Sequence, residues 1–194
     1  MKSPGVTEPL SVPRPSFLGA WAPVAWTCAV GGAVDGVLAW RLGASAVLPA
    51  YLYFGAVGSA LAVCDVRTQR LPNHVVLPSY PIALALLGFA ASISGSWWPL
   101  GRAGIGLVAL AGFFGALTLS FPGQLGLGDV KLAGLLGLYL AWLGASALML
   151  GVLVAWSTAA IAVVLRRLRY TAEPGPLPLA PFLLLGTFFA ILTS

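Results

Sequence analysis

Gly126-Leu127-Gly128-Asp129-Val130-Lys131 opens onto 34 consecutive residues, 132–165, that carry no charge. One helix of that length would measure about 51 Å at 1.5 Å per residue, too long for a single crossing of a hydrocarbon core of roughly 30 Å. The run therefore has to break, and Trp142-Leu143-Gly144 is the place for it. The piece before the break is then only about 13 residues from Val130, or roughly 20 Å. If this short helix reaches the far surface of a membrane, its start lies inside the near one. Non-helical backbone at that depth is tolerated only where it is buried in protein or lines a wet cavity. The turn at 126–129 is expected to line such a cavity.

The turn itself has two readings. Two glycines let the backbone turn tightly and approach whatever binds there, and Asp129 stands where a helix N-cap would stand. Turn-and-cap chemistry alone accounts for that much. The surroundings add more: Asp129 is one of only three aspartates in the chain, and it lies between two long uncharged stretches. An acid held at or inside a membrane is costly, and is a functional candidate for that reason.

The rest of the chain supports the membrane reading. Of 194 residues, 59% are hydrophobic and 8% charged, against about 25% charged in soluble domains. The expected fold is all-α, a polytopic bundle of about seven transmembrane helices. The net charge of +5 could suggest nucleic acid. However, the basic residues sit singly or in small groups between apolar spans, which is information about topology. Cys28 and Cys64 lie in apolar stretches with no Cys-x-x-Cys, so they read as small buried hydrophobes rather than a disulfide or zinc framework. Residues 1–16, with four prolines and Lys2, Glu8 and Arg14, read as a disordered cytoplasmic tail. Residues 17–194 read as a single membrane-embedded domain.

The spans are expected at about 17–40, 44–64, 75–94, 103–121, 130–142, 145–165 and 177–193. Between them lie the polar segment from Asp65 to His74, a turn holding Ser94-Gly95-Ser96, Pro99 and Gly101, the stop at Pro122-Gly123, and the loop Glu173-Pro174-Gly175-Pro176. With a cytoplasmic N-terminus, Lys2, Arg14, Arg67, Arg70, Lys131, Arg166, Arg167 and Arg169 fall inside, and only Arg41 and Arg102 fall outside. That bias orients the bundle. It also puts Asp65, which closes the second span, and Asp129, which opens the fifth, on the same side. Like charges at close range cannot both ionise, so such a pair shares a proton and can do acid and base work in one turnover.

Three segments resemble the bacterial type IV prepilin peptidases, membrane aspartyl proteases of the Gly-x-Gly-Asp class. Asp65-Val66-Arg67-Thr68-Gln69-Arg70-Leu71-Pro72 is similar to the family's first-aspartate motif. Leu125-Gly126-Leu127-Gly128-Asp129-Val130-Lys131-Leu132 is similar to its second. Pro178-Leu179-Ala180-Pro181-Phe182-Leu183 stands where the family has a Pro-Phe-Gly-Pro-Phe run, with Leu179-Ala180 in place of Phe-Gly. The resemblance covers about residues 44–193. It implies that Asp65 and Asp129 are catalytic, supported by Gly126, Gly128, Lys131, Arg67, Pro72 and Pro181, with no metal and no cofactor. The implied substrate is a prepilin or pseudopilin precursor: a short basic leader cut off at the cytoplasmic face of the bacterial inner membrane, before an apolar helix. Partners are then that precursor and the lipid bilayer, and no nucleic acid. Longer family members carry a Cys-x-x-Cys segment associated with N-methylating the new terminus. That pattern does not occur in this sequence, so cleavage without methyl transfer is expected.

Other residues carry less. Lys131 is two places past Asp129 and does not face it on a helix; it either snorkels to the interface or helps hold substrate. His74, the single histidine, reads as a solvated loop residue. Asp35 reads as an acid near the outer side, poorly spaced for pairing with Arg41. The aromatic residues Tyr51, Trp97, Trp98, Trp142 and Tyr170 are expected at the membrane interfaces. The competing function is a proton-coupled transporter that uses the aspartates as a relay. It would want acids at the midplane, not two clustered on one side.

Overall fold

The computed structural model describes residues 17–69, 71–121, 125–169 and 177–194. The expected tail at 1–16, Arg70, Pro122-Gly123, Tyr170 and the loop Glu173-Pro174-Gly175-Pro176 lie outside the described residues. Seven helices follow one another: α1 Phe17–Leu42, α2 Leu48–Thr68, α3 Asn73–Ser94, α4 Trp98–Ser120, α5 Leu127–Leu143, α6 Ala145–Arg169 and α7 Ala180–Thr193. No strand occurs among the described residues. Helices α2, α3, α4 and α6 are each long and apolar enough to cross a membrane.

Several boundaries differ from the sequence reading, and prolines explain most of them. Pro49 and Pro99 stand within the first two positions of α2 and α4, where a missing N–H costs nothing. Pro99 and Gly101 thus open α4 rather than belonging to the turn. Helix α2 runs on to Thr68, so Asp65 lies inside its last turn rather than beyond its end. It stops at Gln69, whose left-handed backbone (φ 51°, ψ 31°) turns its N–H onto the Asp65 main-chain carbonyl at 2.8 Å. Helix α3 begins already at Asn73, so His74 is an exposed first-turn residue. The break at Gly144 is where the sequence puts it: α5 ends at Leu143 and α6 begins at Ala145.

At the centre of the bundle stands α5, buried continuously from Leu132 to Ala141. A helix apolar on every side is one enclosed by others. Its closest neighbour is α4, and there Gly106 and Gly137 cross backbone to backbone: a methyl group on either would run into the carbonyl oxygen of the other. In lipid, where apolar burial does not drive helices together, such small-residue contacts are the main source of association.

One end of the bundle is closed by side chains on carbonyls. Arg102 of α4 donates from Nε to the Ala141 carbonyl at 2.6 Å, and its guanidinium also reaches the Trp142 carbonyl, covering the C-terminus of α5. Arg41 of α1 does the same for α7, donating to the Leu192 carbonyl at 3.0 Å. Arg41 is therefore engaged away from Asp35. Tyr51 is not an interfacial residue: it is fully buried, donates to the Tyr139 carbonyl at 2.8 Å and stacks edge-on against the Tyr139 ring. Its hydroxyl finds a partner inside the protein, which removes the reason to sit at the water boundary. Trp97 and Trp98 are exposed, as an interfacial belt requires.

Helices α5 and α7 are 17 and 14 residues long, against 23 for α4 and 25 for α6. At the end of the bundle away from the arginines, a hollow opens between the last turn of α2 and the first turn of α5.

Candidate active site

The hollow end holds a cavity of about 360 Å³, of a size that takes a small ligand or a short stretch of chain. Its wall is made by the end of α2, the α2–α3 connection and the start of α5. Asp65 and Asp129 both line it, together with Gln69, Leu71, Asn73, Lys131 and the turn 126–128.

Asp65 is the more enclosed of the pair, with 5% of its surface exposed. A buried carboxylate needs donors, and one comes from α7. The chain enters α7 through 177–179, and Pro181 sits in the helix's first turn, where its lack of an N–H suits a helix start. The first helical bonds are accepted by the Leu179 carbonyl, from Phe182 at 3.1 Å and Leu183 at 3.2 Å. The Ala180 N–H is left over, as first-turn amides are, and it donates to Asp65 Oδ2 at 3.0 Å.

Asp129 does not act as the N-cap. Gly126 is the cap, in an extended conformation (φ −78°, ψ 143°), and Asp129 is the third helical residue, with its own N–H on the Gly126 carbonyl at 3.0 Å. From there its carboxylate reaches back towards the Gly126 N–H, the return half of a capping box. Of the two glycines, Gly128 is the one whose missing side chain matters for packing. A Cβ there would stand 3.0 Å from the Leu71 Cβ, so glycine lets α5 begin tight against the α2–α3 connection. The Asp65 and Asp129 carboxylates interact electrostatically across the cavity.

Lys131 turns away from Asp129, as the spacing demands, and its Nζ donates to Asn73 Oδ1 at 2.9 Å on the cavity wall. Tyr80 of α3 donates to the Lys131 carbonyl, which fixes the same turn of α5 from behind. Pro72 is the N-cap of α3, extended (φ −71°, ψ 119°), and sets where Asn73 stands. Arg67 is exposed in the last turn of α2 and is not part of the cavity wall; a cation there suits the helix C-terminus. Asp35 is remote, with Oδ1 packed against Gly55 in the α1–α2 contact and without a hydrogen-bond partner. Among the described residues no three His, Cys, Asp or Glu side chains converge as a metal site would need.

Sequence reasoning missed Gln69, Leu71, Asn73 and Ala180. Only Ala180 left a signal: a proline at 181 marks a helix start, and the amide just before it is free.

An all-helical bundle with apolar spans, and with two carboxylates facing one cavity at its end, is a multi-pass membrane protein. The chain belongs to the type IV leader peptidase family, whose model matches residues 52–165. It is similar to the prepilin leader peptidase/N-methyltransferases of Stutzerimonas stutzeri (30% identical over 83% of this chain and 55% of the relative) and Pseudomonas putida (32%, over 80% and 54%). That of Dickeya chrysanthemi is 36% identical over 75% of this chain and 50% of the relative. The chain thus spans about half the length of the curated relatives it matches. No solved structure gives a significant match.

Proposed function

We propose that this chain is an aspartyl endopeptidase that removes the short basic leader from type IV prepilin or pseudopilin precursors. The observation that carries the reading is the meeting of Asp65 and Asp129, 64 positions apart, on the wall of one cavity. One carboxylate takes a proton from water as the water oxygen bonds to the scissile amide carbon. The other gives its proton to the carbonyl oxygen or the leaving amine, and the C–N bond breaks. Lys131, Gly126, Gly128 and Pro72 shape and hold the wall. Pro181 starts the helix that supplies a donor to Asp65, and Arg67 lies outside the cavity.

The cavity end is the cytoplasmic end in this reading, and the membrane is the bacterial inner membrane. Supporting it, Arg67 and Lys131 stand at the acid end, where α6 also ends in Arg166, Arg167 and Arg169. Arg41 and Arg102 stand at the other, which is the asymmetry expected of an inward-facing site. The relatives' names also include N-methyl transfer. The proposal here is confined to cleavage, because no Cys-x-x-Cys occurs among these 194 residues. The test is a purified-enzyme assay in detergent with a peptide that joins a basic leader to an apolar helix. A single cut between the two is the expected result, and an intact peptide overturns the reading. Reporter fusions at Arg102 and Arg167 should report opposite sides of the membrane; the same side for both would refute the orientation.

A further inference from the structure

The two carboxylates are held differently. Asp65 is nearly enclosed and takes its hydrogen bond from another helix, at 3.0 Å from the Ala180 N–H. That amide is the free first-turn donor of α7, so the positive end of the α7 dipole points at Asp65. Asp129 is more open to the cavity and turns back onto the cap of its own helix. Burial raises the proton affinity of Asp129, and the Asp65 charge across the cavity raises it further. Among the described residues the one cation on the cavity wall is Lys131, and it is bonded to Asn73. Arg67 of α2 and His74 of α3 face outwards, and α7 carries no ionisable side chain.

We propose that Asp65 is the ionised member of the pair and takes the proton from water, that Asp129 delivers the proton, and that the main-chain N–H of Ala180 is the positioning group that fixes this division. The inference rests on the peptidase reading for its chemistry but not for its test. An N–H donor stabilises an ionised carboxylate relative to its acid, so removing it raises the proton affinity of Asp65 whatever its role. The limb of the pH–rate profile that moves therefore reveals the role.

Ala180→Pro removes the donor at a position where a helix tolerates proline. The acid-side limb should move up by about one pH unit, the size of a charge-assisted hydrogen bond, with the alkaline limb in place. Ala180→Gly keeps the amide and should keep the acid-side limb where the wild type has it. Movement of the alkaline limb alone assigns Asp65 as the acid and overturns the proposal. So does a profile that does not move.

Leu179 is helical (φ −88°, ψ −30°), a conformation disfavoured before proline, so a second measurement uses the unaltered protein. Treated at mildly acidic pH, where one member of the pair still holds its proton, with a small epoxide such as 1,2-epoxypropane, an ionised carboxylate attacks a ring carbon. The ring C–O bond opens, the new alkoxide takes a proton from water, and a hydroxypropyl ester remains. Peptide mapping should find the ester on Asp65 in several-fold excess over Asp129, against the order of their exposure. Excess on Asp129 overturns the proposal. Labelling needs no substrate, so a protein that fails to cut the leader peptide yet labels on Asp65 refutes the peptidase reading alone.

Discussion

Helices α5 and α7 are gripped at both ends, and the two grips are opposites. At one end arginines from α4 and α1 donate to the last carbonyls of α5 and α7. At the other, the Asp65 carboxylate accepts the Ala180 N–H of α7, and the Asp129 side chain turns back towards the Gly126 cap of α5. A cation at the carbonyl pole and an acid at the amide pole each suit the helix end they face. The arginines, however, cover carbonyls in a packed corner, whereas the aspartates also look onto a 360 Å³ cavity. The same electrostatic device thus holds the bundle together at one end and leaves carboxylates open to a cavity at the other.

The largest effects should come from breaking the acid end. Asp65→Asn and Asp129→Asn are each expected to lower kcat by three orders of magnitude or more, roughly as much as the double variant does, since groups that act as a unit are not additive. Turnover of a leader peptide by variants that still fold in the membrane measures this. The wild-type profile should fall on both sides of an optimum. Below it both acids are protonated, and above it both are ionised. Near-normal turnover by Asp65→Asn would return that residue to the role of an anchor.

Breaking the arginine end should do the reverse. Arg102→Ala strips donors from the Ala141 and Trp142 carbonyls and is expected to cost about 2 kcal/mol of stability. Denaturant unfolding in detergent would show it, while kcat of the folded fraction stays at its wild-type value. A loss of kcat without a loss of stability would mean that the two ends are not separable. Tyr51→Phe removes one interhelical bond near the same end and should cost about 0.6 kcal/mol, a typical value for such bonds in membrane proteins. The smallest effect is expected at Asp35, which lies in the half of α1 nearer the arginine end. Asp35→Asn should cleave at close to the wild-type rate. If it were inactive while the other two asparagine variants worked, the proton-relay reading would reopen.

How far these ends could be read in the sequence follows from the range of the forces involved. The seven helices, the break at Gly144 and the pairing of Asp65 with Asp129 were legible because hydropathy, a glycine and charge bias act locally or along the whole chain. The cavity was legible too, from the shortness of α5. The grips were not. Nothing near Arg102 in sequence says that it will cap a helix ending some 40 positions later. Nothing near Tyr51 says that its hydroxyl meets the Tyr139 carbonyl rather than water. The Asp129 reading erred by one turn feature, because Gly126 could cap the helix without a side chain and left the acid free to face inwards.

The length of α7 has a consequence for the surrounding lipid. Its 14 residues span about 21 Å, and Leu185 and Phe189 are exposed on its outer side, whereas a bilayer's hydrocarbon core is about 30 Å thick. Acyl chains that touch α7 must shorten or tilt, so the membrane thins beside the site at a cost of a fraction of a kcal/mol per ångström. Bilayers of shorter-chain lipids relieve that deformation. The thickness of the host membrane thereby acts on how firmly α7, and with it the Ala180 amide, is seated against Asp65.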